Sequence, residues 1–334
     1  MISVISVLHC YIKMNWRPSA DLATLRERAR ILAGIRAFFA ERGILEVETP
    51  ILSRAGVCDP QLTSLASHFI GPGHGAGLPL YLHTSPEYAM KRLLAAGSGP
   101  IYQICRVFRQ GEVGRRHNPE FTMLEWYRPH WDHHRLMDEV EALVAPILGL
   151  SGPARRLDYR AAFLEYAAID PLSADLSALR ACAERLGCGG IEMGEARDGW
   201  LDLILSHHIE PQLGQDGLCF LQHYPASQAA LARLSPEDPR LAERFELYYQ
   251  GIELANGFHE LSDAAEQRRR FEADGLQRKG IGLDTPPIDE HLLAALEHGL
   301  PDCAGVALGL DRLIMLALGK THISEVLAFD FERC

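Results

Sequence analysis

The sequence predicts an α+β fold in which an antiparallel sheet is flanked by helices. Three observations carry that reading. Residues 101–109 and 121–127, and again the residues on either side of Gln250-Gly251, form strand-like runs joined by polar connections, as antiparallel neighbours do. Separate segments at 21–42, 288–299 and 311–318 have the character of helices. The chain has 334 residues, 47% hydrophobic and 23% charged, which suits a globular enzyme with a substantial core in one large domain or two small ones.

Residues 1–15 read as an N-terminal extension, expected to be disordered, and residues 16–334 as the catalytic domain. The opening MISVISVLHCYIK is apolar but lacks a basic leader and a small-residue cleavage site, so it is not a signal peptide, and Met14 is an alternative start. Over residues 21–42, Leu25, Ala29, Leu32, Ile35 and Phe39 recur at helical spacing, and Gly43 supplies the stop. Ile44 then alternates with Glu46 and Glu48 in a strand that Pro50 confines to an edge or a turn. Residues 72–77 form a Gly-rich turn that lacks the GxxxxGK[ST] of a phosphate loop. Ser85, Pro86 and Glu87 read as a helix N-cap, a first-position proline and a first-turn acid, with Gly97 closing the helix.

The most informative stretch is residues 106–129. Gln103, Cys105, Val107 and Arg109 share one face of the first run, and Phe121, Met123, Glu125 and Tyr127 share one face of the second, because strand side chains alternate with period two. Antiparallel pairing gathers Arg109, Glu125 and Tyr127 on one floor, with His117 and Asn118 in the connecting loop. Such a floor suits a substrate carrying both anionic and cationic groups.

Between residues 150 and 241 turn signals at 151–153 and 170–171 and a helix carrying Leu176, Leu179, Ala183 and Leu186 are legible, but no chemistry. In the next hairpin a two-residue turn at Gln250-Gly251 sets Tyr248 opposite Glu253, and Glu246 shares their face. Carboxylates on neighbouring strands repel unless a cation lies between them, and Mg²⁺ is the candidate. Near the C-terminus, residues 306–308 read as a short buried strand, Gly309 as a position of close approach and 311–318 as a helix ended by Gly319. Arg312 falls in the first turn of that helix, where a cation opposes the helix dipole unless an anion is near.

The formal net charge of −11 and the lack of a basic block weigh against nucleic acid. No apolar run reaches the roughly 18 to 20 residues of a membrane helix, so no membrane partner is expected. Eight cysteines form no CxxC pair and read as reduced thiols of a cytoplasmic protein.

From Trp16 to the C-terminus the chain resembles the class II aminoacyl-tRNA synthetases. The run RHNPEFTMLEWY is similar to motif 2 of the lysine group, residues 21–50 to motif 1 and GLDR at 309–312 to motif 3. The pattern is most like the free-standing branch related to lysyl-tRNA synthetase, the elongation factor P lysine ligases. That resemblance implies a class II sheet, a homodimer built on motif 1 and no OB-fold, since only about twenty residues precede the first helix. It implies ATP and Mg²⁺, with (R)-β-lysine or lysine as the activated acid and a lysine of elongation factor P, not tRNA, as the acceptor.

The resemblance carries residue roles as well. Arg109 and Arg312 would be catalytic, and Gln110, Gly111, His117, Asn118, Glu253, Leu254 and Gly309 would join them around ATP. Glu246 and Glu253 would hold the metal, and Ser85, Pro86, Glu87, Glu125, Tyr127, Asn256 and Glu260 the lysine-like acid. Ala307 stands where lysyl-tRNA synthetases usually carry Gly. One departure matters: motif 2 expects a carboxylate at position 111, which is Gly here, and Glu112, the residue that could swing in instead, sits one residue out of phase and would naturally point elsewhere. The alternatives are a compact lysyl-tRNA synthetase and, motivated by Gly111, a catalytically silent binder of a diamine or nucleotide.

Overall fold

The computed structural model describes residues 16–334 except Gly189 and Glu192, so the expected extension at 1–15 lies outside the described residues. The strands are β1 (Leu45–Glu46), β2 (Leu52–Ser53), β3 (Ala66–Gly71), β4 (His74–Leu82), β5 (Ile101–Phe108), β6 (Glu120–Pro129), β7 (Arg155–Asp158), β8 (Cys219–Pro225), β9 (Leu241–Tyr249), β10 (Ile252–His259) and β11 (Cys303–Gly309). The helices are α1 (Leu22–Glu41), α2 (Glu87–Ala95), α3 (His133–Leu148), α4 (Tyr159–Ala162), α5 (Leu176–Arg185), α6 (Arg197–Ile204), α7 (Ala264–Gly280), α8 (Glu290–Gly299) and α9 (Leu310–Ala317).

Among the described residues the strands form an eight-stranded sheet, ordered β1-β5-β6-β11-β10-β9-β8-β7, and a small sheet ordered β2-β4-β3. The expected antiparallel sheet is its centre, while the two outermost strands pair parallel, β1 with β5 and β7 with β8. An α+β domain results, with the apolar stripes of α1 and α3 on one face of the sheet. There Phe39 stacks on Tyr102 at 4.3 Å and meets Trp126 edge-on at 5.4 Å. The Trp126 indole N–H donates to the Glu139 carboxylate at 3.1 Å, which satisfies the one polar atom of a fully buried ring.

Local chemistry explains most boundaries. Asp21 caps α1 by accepting from the Thr24 amide at 2.7 Å. Gln250 and Gly251 both adopt positive φ, 51° and 66°, as a type I′ hairpin turn requires, and Tyr248 pairs with Glu253 as predicted. The turn at 72–77 is narrower than expected, because strand β4 already begins at His74. The helix predicted from Ser85 starts later: the cap position is Pro86, and the Ser85 hydroxyl accepts from the Glu87 amide at 3.0 Å. The stretch from 150 to 241 contributes β7 and β8 to the main sheet and a second core around Tyr159, Phe163 and Trp200. No described helix is long and apolar enough to cross a membrane. The described cysteines are all free, and most are buried.

Candidate active site

On the face of the sheet opposite α1 and α3 lies a cleft of about 460 Å³, within the range of small-molecule sites. Every residue predicted for the site lines it except Gln110 and Gly111. The pairing that achieves this has one irregularity that periodicity does not predict. Glu253 and Asn256 differ by an odd number of positions and should face opposite sides of β10, yet both line the cleft. A bulge between Glu253 and Ala255 shifts the register, setting Asn256 opposite Glu246 and turning Phe258 and Glu260 inward. His259 is thereby turned to the α3 side.

One end of the cleft is rich in guanidinium groups. Arg109 follows β5 directly, and its Cζ lies 5.2 Å from the centre of the Phe121 ring. Arg312 leaves the first turn of α9 and donates to the Glu253 carbonyl at 3.0 Å, the Arg116 carbonyl at 3.3 Å and His117 Nε2 at 2.6 Å. These acceptors, with the Glu253 carboxylate at 3.5 Å, supply the negative partner its helix position calls for. Since Arg312 can only donate, His117 accepts, and burial together with Arg312 holds that imidazole below its usual range. Asn118 is a brace: its amide donates to the Glu120 carbonyl at 2.7 Å and accepts from the Phe331 amide at 2.9 Å.

The expectation for Glu112 is corrected. Gly111 adopts φ +84°, a left-handed conformation that costs glycine little, and the chain turns there. The Glu112 carboxylate therefore reaches 3.6 Å from Arg109 and lines the cleft, one position after the residue where motif 2 expects its carboxylate.

Glu246 is more heavily bonded than two repelling strand acids would be. It accepts from Tyr224 at 2.6 Å and Tyr248 at 2.5 Å and pairs with the Arg244 guanidinium. Arg244 also donates to Asn256 at 3.2 Å and the Gln228 carbonyl at 2.7 Å. Beside it, burial and Glu246 push the Glu253 carboxyl up, and burial with the same neighbours pushes Glu210 up to about 7. Three crowded acids, of which Glu253 has only a long contact to Arg312, suit a hard divalent cation with oxygen ligands.

The other end is acidic. Glu125 is 2% exposed and accepts from Tyr127 at 2.6 Å and Ser85 at 2.7 Å. Burial, then Glu87, push its carboxyl up to about 8, against the two hydrogen bonds. Glu260 and Glu87 prove to be already partnered: Lys91 Nζ lies 2.6 Å from Glu260 and 2.7 Å from Glu87. The acidic cup read from sequence is thus partly filled by the chain's own ammonium, and Glu125 is the carboxylate left without a cation. Gly305 keeps the floor open, since a Cβ there would lie 2.2 Å from Tyr127 and 2.5 Å from Glu260.

Sequence reasoning missed Arg244, Lys91 and Asp311. The first two had signals: Arg244 is two residues from Glu246 on one strand face, and Lys91 is one helical turn from Glu87. Asp311 meets Arg28 of α1 at 2.6 Å and accepts from the Thr122 amide of β6 at 2.8 Å, joining the three motif segments behind Arg312. No local pattern announces that contact.

An eight-stranded sheet with an antiparallel centre, carrying an arginine after one strand and a second arginine at a helix start, with an acidic pocket at the other end of the same cleft, defines a class. The chain belongs to the class II tRNA synthetase family of the D, K and N type, whose family model matches residues 7–333. Within it, the chain is 57% identical over 320 residues to the elongation factor P–(R)-β-lysine ligase of Edwardsiella ictaluri, covering 96% of this chain and 98% of that one. It is 56% identical, with the same coverage, to the ligases of the same name from Salmonella typhi and Erwinia tasmaniensis.

Proposed function

We infer that this chain is an AMP-forming ligase that activates (R)-β-lysine as an acyl adenylate and transfers it to a lysine side chain of elongation factor P. The observation that carries the reading is the 56–57% identity, over 96% of the chain, to ligases of that name. The cleft supports it by placing guanidinium groups at one end and an unpaired buried carboxylate at the other.

The acid's own carboxylate is ionised at neutral pH, so attack on the α-phosphate of ATP needs no general base. It needs alignment and charge neutralisation. Arg109 is assigned to the α-phosphate, steered by Glu112, and Arg312 to the distal phosphates, backed by His117. Leu254 and Gly309 shape the nucleotide's surroundings, Gly111 makes the turn that carries Glu112, and Asn118 holds the loop, while Gln110, which does not line the cleft, is given no part. Mg²⁺ on Glu253 and Glu246 would neutralise phosphate charge. At the acidic end Glu125, oriented by Ser85 and Tyr127, takes the side-chain ammonium, while Pro86, Asn256 and the Lys91-paired Glu87 and Glu260 set the pocket's length. Free thiols throughout the described chain fit a cytoplasmic place. The exposed apolar side chains Leu45, Ile51 and Leu52 beside α1 fit a face against a second copy, which sedimentation would detect as a dimer.

The test is ATP–pyrophosphate exchange run with (R)-β-lysine and with α-lysine, followed by transfer of the labelled acid. Exchange that prefers the β-isomer, with label on the factor, is the expected result. Label on tRNA and none on the factor would instead make the chain a compact lysyl-tRNA synthetase.

A further inference from the structure

On the sheet face covered by α3, away from the cleft, stands a group of imidazoles that no step of the ligase reaction uses. His133 opens α3 and is 3% exposed, and both its ring nitrogens lack a hydrogen-bond partner. A buried polar group in that state is rare, and a bound ion is one of the things that accounts for it. Its ring centre lies 4.0 Å from that of His134 and 5.8 Å from that of His223. One ligand atom from each of the three falls within 4.8 Å of the others.

The approach of His223 is built into the backbone. The register of β8 on β9 shifts between Gln222 and Tyr224, and His223 itself adopts φ 58°. A left-handed conformation at a non-glycine residue is costly, and at a bulge it serves to re-aim a side chain. Here it points the ring toward the start of α3. His223 Nδ1 is 2.9 Å from the Asp158 carboxylate, leaving Nε2 for another partner. A carboxylate on the far nitrogen is what orients a metal-bound histidine.

We infer that His133, His134 and His223 form a site for a late first-row divalent cation, with Asp158 as the outer support of His223. Three imidazoles select zinc, copper or nickel over magnesium or calcium. Zn–N bonds of about 2.0–2.1 Å in a tetrahedral site put ligand nitrogens about 3.4 Å apart, so the rings need to close by roughly an ångström. His259 and Glu243 also approach His133, but His259 has Glu243 at 2.6 Å on one nitrogen and Asp302 at 3.0 Å on the other, so it is already engaged. The metal would pin α3 to the β8 bulge.

The experiment uses the full chain stripped with a chelator, then dialysed against zinc chloride, with bound zinc measured by mass spectrometry and Co²⁺ as an optical probe. The expected result is one zinc per chain, a Co²⁺ spectrum of tetrahedral type and a higher melting temperature with metal. His223→Ala and His134→Ala should each abolish stoichiometric binding, and Asp158→Asn should weaken it roughly 10- to 100-fold. Pyrophosphate exchange should survive His223→Ala, which lies outside the cleft. Zinc below stoichiometry in the native chain, or binding unchanged in both histidine variants, would overturn the assignment. So would binding lost in His259→Ala but kept in His134→Ala and His223→Ala.

Discussion

The Lys91 ammonium lies 2.6 Å from the Glu260 carboxylate, and each side chain is 1% exposed. Removing one partner of such a pair strands a charge in the interior at a cost of about 3–5 kcal/mol. Lys91→Met should therefore lower the urea midpoint sharply, and Lys91→Met with Glu260→Met should recover much of the loss. If Lys91→Met alone were as stable as the parent chain, the pair would not be buried as described.

Glu125 gives the chain a pH signature. Its carboxyl is raised from 4.5 to about 8, so between those values the folded chain holds a proton that the unfolded chain has lost. Stability then falls as pH rises through this window, and Glu125→Gln should flatten the slope. Glu260, raised to about 7 by burial against the pull of Lys91, leaves a slope of the same sign over a narrower window that ends near pH 7. A cationic amine needs Glu125 ionised, so the KM for the lysine-like acid should fall as pH rises toward 8, by at most about tenfold per unit. A KM independent of pH in that range would remove Glu125 from contact with the ammonium.

The turn at Gly111 brings the Glu112 carboxylate to Arg109, where it would serve in place of the missing motif 2 carboxylate. Its pair with Arg109 is partly exposed, so the stabilisation is modest, but loss of the pair would free Arg109 from the position proposed for it on the α-phosphate. Glu112→Gln should slow pyrophosphate exchange about tenfold with little change in melting temperature. Gly111→Glu, in contrast, forces a residue with a Cβ into the left-handed conformation at φ +84° and should not restore anything.

The legible part of the fold was the part written in local periods. The β5–β6 pair, the two-residue turn at Gln250-Gly251 and the helix that carries Arg312 in its first turn all follow from spacing and turn chemistry. The site was legible through its charged motif residues. What stayed hidden depends on long-range registration: the β10 bulge that turns Glu260 into the cleft, the Arg28–Asp311 contact across the chain, and β8 docking from a stretch without motifs. Lys91 was hidden for another reason. An i,i+4 pair on a helix usually lies in water, and only the folded chain reveals that Glu260 closes over it.

Gly305 and Ala307 test the pocket floor from two sides. In β11, Ala307 pairs with Glu125 on one strand and Asn256 on the other, so its methyl sits between the two groups that would hold the amino acid's ends. Ala307→Gly lengthens the pocket by one methyl, worth about 1 kcal/mol of packing, and should improve α-lysine relative to (R)-β-lysine several-fold in the exchange assay. Gly305→Ala does the opposite. Its Cβ would meet Tyr127 at 2.2 Å and Glu260 at 2.5 Å, inside any real contact, and both neighbours are buried and cannot swing away. The variant should lose about 1–3 kcal/mol of stability by overpacking and exchange with neither isomer. Because ATP would bind at the far end, nucleotide protection against unfolding should persist in Gly305→Ala, and its loss would mean that the two ends of the cleft are not separate.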